Sequence, residues 1–319
     1  MKKIVYFLLS CILITACSDD NIPQIPMDSM DEGFKSYLLE HFDLNNDGSI
    51  SVEEAALVTE MHVDWSIHST EGLEFFPNLE VFICQSVSIE TIDISKNTKL
   101  KILNCSFTNV SSINASNNPA LKVLDCSYSG IQELDVSNCH ALDTLICENH
   151  YNGVLKSFKL NPELKVLKIK GHGMALLDFS GNQHLKELSC NGDYLIHLDI
   201  SNSAIEALDC YDSSKLAYVN LEGCTKLKKL ACVLRAISPD DIYSSLYLAD
   251  CKGLEELVAG RVNTIDLSNL PLLKTFDFFD SKMANLDLSN NPALANLKLH
   301  GEIETIDFGN NKQLVNFEI

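Results

Sequence analysis

One feature of this 319-residue chain limits its fold more than any other: from about residue 77 onward it repeats itself. The clearest unit runs Leu121-x-x-Leu124-x-Cys126, then Ile131-x-x-Leu134-Asp135-Val136-Ser137. The position of Cys126 recurs as Cys84, Cys105, Cys147, Ile169, Cys190, Cys210, Cys232, Ala259, Phe278, Leu299 and Ile319. Most spacings lie at 20 to 22 residues, and the widest, Cys232 to Ala259, is 27. Units this short have no core of their own. Each buries its apolar face against its neighbours, so the units stack into a solenoid. Length alone, at about 150 residues per domain, predicts two domains. The period predicts one elongated stack instead.

Each Leu-x-Cys segment suits a short strand whose alternate residues point in and out. Leu and Cys would fill a thin core, and the residues between them would face a concave surface. Seven of the 12 cysteines share this inward position, while Cys139, Cys224 and Cys251 fall in turns, where they read as small apolar fillers. A free Cys packs as a small hydrophobe. With no Cys-x-x-Cys pairing, thiols are expected rather than a disulfide or metal ladder, even in a secreted chain.

The unit resembles the leucine-rich repeat, in the nested bacterial class written LxxLxCxxNxLxxLDLxx, over roughly residues 77–319. That resemblance implies an α/β repeat fold, a leucine-rich-repeat solenoid with a parallel sheet. The second half-unit recurs as Ile92-Asp93-Ile94-Ser95, Leu198-Asp199-Ile200-Ser201, Ile265-Asp266-Leu267-Ser268 and Leu286-Asp287-Leu288-Ser289. It departs from the pattern at residues 158–161 and around Leu246-Tyr247-Leu248, and Ser129 stands where the family has an inner asparagine.

The opening residues read as an address. Met1-Lys2-Lys3 precedes an apolar run from Ile4 to Ala16, too short for a stable span and ending at Cys17. Ile14-Thr15-Ala16-Cys17 resembles a bacterial lipobox, which implies cleavage after residue 16 and lipidation of Cys17. Acyl chains there would hold the protein at a membrane surface. Ser18-Asp19-Asp20 looks like an export signal to the outer face of the outer membrane, with a periplasm-facing anchor as the alternative. Residues 17–30, with Pro23 and Pro26, are expected to be a tether.

Residues 43–54 fit the twelve-residue EF-hand loop, Asp43, Asn45, Asp47, Ser49, Ser51 and Glu54 being its ligand positions and Gly48 its sharp turn. Ca²⁺ wants six to eight oxygens, which three carboxylates, the Asn45 amide, the Ser49 carbonyl and a water at Ser51 would provide. Phe34, Tyr37, Leu38, His41 and Phe42 recur at helical spacing before the loop, and Ala55, Ala56 and Val58 follow it. A helix-loop-helix is expected over 31–60, followed by a cap segment over 61–76 that carries Trp65, Phe75 and Phe76. There is no second such loop. A lone site suits a stiffening role, with an affinity on the order of 0.1–1 mM.

Hydrophobic residues make up 46% and charged residues 21%, which excludes a disordered chain, and the net charge of −20 argues against a nucleic-acid partner. No metal helix, nucleophile elbow or phosphate loop occurs, so no enzyme is expected, a carbohydrate-active one being the remote alternative. Concave candidates for a ligand are Lys168, Lys170, Glu148, Asn191 and Tyr211. Lys156, Lys159, Lys165, Lys168 and Lys170 form a basic island in an acidic chain, which reads either as a contact for an anionic glycan or acidic protein or as plain charge balance. Two insertions, carrying His150, Tyr151, Arg235, Asp240, Asp241 and Tyr243, fall in the same half-turn of their units and should project from one edge. The expectation is a binding scaffold for a protein or glycan, similar in architecture to internalin-like adhesins. An assembly module pairing through a strand edge at Phe317-Glu318-Ile319 is the alternative.

Overall fold

The computed structural model describes residues 22–149, 155–235, 245–262, 264–309 and 311–318. The signal segment, Cys17, His150, Tyr151, Asp240, Asp241, Tyr243 and Ile319 lie outside them. Among the described residues the chain winds as a solenoid around one long parallel sheet of 13 strands, from Glu60–His62 to Asn316–Glu318. Shorter strands in the second half of the turns pair among themselves, the longest run being Leu176–Asp178, His197–Asp199 and Tyr218–Asn220. The core lies between these two sets. Register confirms the repeat: Leu167 sits opposite both Leu145 and Leu188, and Cys210, Cys232, Ala259, Phe278 and Leu299 align across successive strands.

Among the described residues, two columns of side chains tie one turn to the next, and a third closes each turn on itself. The first is the expected cysteine column, in which the Cys84, Cys105 and Cys126 thiols donate to the carbonyls of Asn104, Asp125 and Ile146 in the following turn, each at 3.5 Å. All ten described cysteines are free and buried, and burial pushes the Cys84 thiol up to about 12. The second column is asparagine. Asn97, Asn118, Asn291 and Asn311 each donate through Nδ2 to two backbone carbonyls of the preceding turns at 2.8–3.1 Å. Cys139 and Cys224 stand in this column, and their thiols donate to the carbonyls of Ala115 and Ile200 at 3.5 and 3.1 Å. They are therefore hydrogen-bonding substitutes rather than mere fillers. The third column is the Asp-x-Ser pair, in which Asp93, Asp135, Asp178, Asp199, Asp266 and Asp287 accept the N–H two residues on at 2.8–3.1 Å. An Asp side chain closing on its own backbone makes the turn that ends these strands.

The N-terminal cap holds helix α1 (Glu32–Phe42), started by Asp31, whose carboxylate accepts from the Phe34 N–H at 3.0 Å, and helix α2 (Val52–Leu57), capped reciprocally by Ser51 and Glu54. Phe34, Leu38 and Ile50 are fully buried. Three expectations change here. Residues 22–30 of the expected tether pack into the cap, because Ile25, Met27 and Met30 are buried and the backbone of Ile25 and Val52 is bonded to Ile50 and Pro23. The sheet starts within the expected cap segment, since Glu60–His62 pairs with Val81–Ile83 and Met61 enters the core. Trp65 does not cover the core: it is 80% exposed on the turn after that first strand, and Phe76 is the buried residue instead. Among the described residues no helix is long and apolar enough to cross a membrane.

Candidate ligand sites

The loop between α1 and α2 has its oxygens turned inward on its own backbone. Asp43, the residue that ends α1, accepts from the N–H groups of Asp47 (3.2 Å) and Gly48 (2.9 Å). Asn45 Oδ1 accepts from Asp47 N–H at 2.9 Å, and Asp47 accepts from the Ser49 N–H and hydroxyl at 2.8 and 2.6 Å. Gly48 has φ of +82°, a left-handed turn that glycine adopts without strain. Glu54 reaches back across the loop and accepts from Leu44 N–H and Ser51 N–H, both at 2.8 Å. Ser51 is buried, and its hydroxyl donates to Glu54. Hydrogen bonds hold the Asp47 carboxyl below its usual range. They do the same for Glu54, although its burial acts the other way. The set is all oxygen, anionic and carried on one closed loop, which suits a hard cation. Among the described residues no three His, Cys, Asp or Glu side chains gather as a metal group. A cation here would therefore draw on the Asn45 amide and backbone oxygens as well as the carboxylates.

The second site lies on the open face of the long sheet. Alternation puts three residues of each strand region on that face, and in the middle of the stack several of them are small: Ser189, Ala207 and Ala231. Where small side chains line up across neighbouring strands the sheet floor is left bare. The result is a dent of about 370 Å³, walled by Lys168, Lys170, Asp209, Lys229 and Glu256. Lys170 pairs with Asp209 at 3.3 Å, Ser189 donates to Asp209 at 3.2 Å, and Lys229 pairs with Glu256 at 2.8 Å. Lys168, Glu148 and Glu187, also on the lining, form no ion pair with another described residue.

Of the five expected ligand residues, Lys168, Lys170 and Glu148 therefore meet in one place. Tyr211 is not on that lining: it is 40% exposed, and its ring lies 5.5 Å from that of Phe279. Asn191 is corrected: it is only 5% exposed, and its side-chain oxygen has no hydrogen-bond partner among the described residues. The basic island does not survive folding as one patch. Lys156 and Lys159 belong to the short-strand side, where they bond Gln132 and Asp135, and Lys165 pairs with Asp143; only Lys168 and Lys170 reach the dent.

Sequence reasoning passed over Lys229, Glu256 and the stacked pair Phe107–Tyr128. Those two rings lie 4.3 Å apart at an angle of 14°, on residues with φ of +58° and +54°. Bulky side chains in left-handed backbone are uncommon and strained. The one available signal was their shared place, two residues after Cys105 and Cys126, where Gly171 stands in a later turn.

No family model matches the chain, and no curated protein does. Solved structures do. The functional domain of InlJ from Listeria monocytogenes, described as including a cysteine ladder, superposes with a TM-score of 0.52 at 22% identity, over 92% of this chain and 74% of that one. An internalin (inlF) from Listeria monocytogenes superposes with a TM-score of 0.55 at 15% identity, over 94% and 98%. At these identities the likeness establishes the fold, a leucine-rich-repeat solenoid.

Proposed function

We propose that this chain is a non-enzymatic recognition scaffold, held at the outer surface of the cell by lipid on Cys17, which takes a protein or glycan ligand on the open face of its long sheet. The dent carries this reading. Its charged walls stand on strands locked in register, so they are held in place before any ligand arrives and little ordering entropy is lost on binding. The solenoid fold shared with internalins supports a protein-binding role by analogy. In the same reading Ca²⁺ at Asp43, Asn45, Asp47, Ser49, Ser51 and Glu54 stiffens the cap that covers the first turn.

The test is capture of mucins, matrix proteins and polysaccharides by immobilised residues 18–319 in calcium, beside a Lys168→Glu/Lys170→Glu variant. A ligand held by the parent and lost by the variant is the expected result. Silence across the panel, or binding indifferent to both lysines, would overturn the assignment to this face. Localisation is tested separately: a Cys17→Ser variant should leave the membrane fraction for the soluble one.

A further inference from the structure

The short strands on the other side of the core carry a hollow of their own. It measures about 300 Å³, and its lining includes Tyr218, Asn220, Glu222, Tyr247, Ala249 and Asp250. A break in the repeat accounts for it. Asp199, Asn220 and Asp266 hold one position in their turns, and each accepts the N–H two residues on, at 2.8, 3.2 and 2.9 Å. Register places Tyr247 at that position in the turn before Asp266. A phenol ring does not close on its own backbone as a carboxylate does, and the Ala249 N–H makes no hydrogen bond to another described residue. The Tyr247 ring is instead 69% exposed, and Tyr218 on the same lining is 37% exposed. Charge here has one sign. Among the described residues Glu222 and Asp250 are the charged groups of the lining, and neither forms an ion pair with another described residue. Asp250 accepts from the Gly223 N–H at 2.9 Å, which leaves its other oxygen and the whole Glu222 carboxylate to a ligand.

From this geometry we infer that the hollow binds the guanidinium of an arginine side chain carried by a protein partner. The site is separate from the dent and does not rest on the reading of that face. A guanidinium is planar, always charged, and has N–H donors but no acceptor. Its flat face stacks on an aromatic ring, and its edge donates in pairs to a carboxylate. Exposed tyrosines beside unpaired acids supply both partners. The chain already makes such a contact within itself: the Lys215 ammonium stands 4.8 Å from the centroid of the Tyr194 ring. An anion would meet two carboxylates and no base. A neutral sugar would use the rings but gain no Coulomb attraction from the acids. The volume is at the lower end of small-ligand sites, room for one side chain. The net charge of −20 adds a long-range pull on a basic partner.

The experiment uses residues 18–319 and four probes: an acetylated, amidated Gly-Ser-Arg-Ser-Gly peptide, the same peptide with uncharged citrulline for arginine, free arginine, and a neutral hexasaccharide of N-acetylglucosamine. Saturation-transfer NMR reads which ligand protons touch the protein, and its dependence on concentration reads affinity. The arginine peptide should bind with saturation concentrated on the methylene next to the guanidinium. The citrulline peptide should bind about tenfold more weakly, and free arginine, whose own carboxylate meets the two acids, more weakly as well. Tyr247→Ser and Glu222→Gln should each weaken the arginine peptide about fivefold, and Tyr247→Phe should keep it. Glu40→Gln, the same change of charge on α1, should leave it unaltered. All of these side chains are exposed, and melting temperature checks each fold. Equal binding of the arginine and citrulline peptides, or equal loss in Glu40→Gln and Glu222→Gln, would overturn the inference. So would tighter binding of free arginine, binding of the sugar through Tyr247 in place of the peptide, or no binding at all. None of these outcomes involves Lys168 or Lys170, so the reading of the dent stands or falls by its own test.

Discussion

The columns that stitch the turns together and the columns on the open face of the long sheet follow opposite rules. In the first set one residue type recurs: Cys84, Cys105, Cys126 and Cys147 in one line, Asn97 and Asn118 in another, Asp-x-Ser in a third. In the second set almost every step differs. Along a single line on the open face stand Asp125, Ile146, Lys168, Ser189, Asp209, Ala231 and Val258. The difference has a physical cause. Each residue of this set faces a repeated task, satisfying a backbone carbonyl of an adjacent turn or, for Asp-x-Ser, an N–H of its own, and a buried group left unpaired is expensive. Most residues on the open face have no such task, Asp125 and Asp209 excepted, which accept the N–H of Ser127 and Tyr211 at 3.0 and 3.2 Å, so their variety is available for a ligand.

The comparison breaks if a stitching residue proves dispensable. Asn118→Leu removes a donor shared by the carbonyls of Ile94 and Asn97 and should cost about 2–4 kcal/mol in urea unfolding. A loss below 0.5 kcal/mol would show that the column is ornamental. The cap loop belongs to neither set, because it occurs once. Millimolar Ca²⁺ should stabilise the protein by about 1–2 kcal/mol, and Asp43→Ala with Glu54→Ala should abolish the effect. Identical melting of the parent in chelator and in calcium would remove the ion from this account. Cys126→Ala deletes a weak donor and a small volume, so about 1 kcal/mol is expected. Lys168→Glu on the open face should change stability by less than about 0.5 kcal/mol while changing ligand capture.

Acid should separate the buried ring of His172 from the Asp-x-Ser carboxylates by pH. His172 is buried in place of the usual hydroxyl of this turn; its Nδ1 accepts from Met174 N–H at 3.1 Å and its Nε2 donates to the Cys190 carbonyl at 3.1 Å. Burial holds its pKa below the ordinary 6.5. A protonated ring has no acceptor, so stability present above about pH 6.5 declines as pH falls below it. The Asp-x-Ser carboxylates act lower. Hydrogen bonds from Ser137 and Lys159 bring Asp135 down to about 2, so its contribution is complete above about pH 4 and declines towards pH 2. Melting followed from pH 8 to 2 should show both declines. His172→Gln should remove the upper one and Asp135→Asn should shrink the lower one. A single decline unchanged in either variant would refute the assignment.

Much of the fold was legible in the chain because its causes are local and repeated. The Leu-x-Cys period located the strands of the long sheet, and the Leu-Asp-x-Ser half-unit carried the same period between them. What misled was composition read without contacts. Two prolines made residues 17–30 look like a tether, yet Ile25, Met27 and Met30 are buried in the core. Five lysines close in sequence looked like a patch, yet a solenoid turn carries its beginning and end to different sides. Cys139 and Cys224 looked like fillers because their partners, Ala115 and Ile200, lie a full turn back.

From the sequence alone came the solenoid, its inward columns and the twelve-residue loop, since side-chain alternation and a fixed period act within one turn. Only the tertiary structure decided that Tyr211 meets Phe279, that Asn191 is buried and that Lys229 and Glu256 wall the dent. Those facts depend on the size of side chains on neighbouring strands. A glycine at 260 leaves room for the Phe279 ring and alanines at 207 and 231 open the dent, and their effect appears only when the turns are stacked.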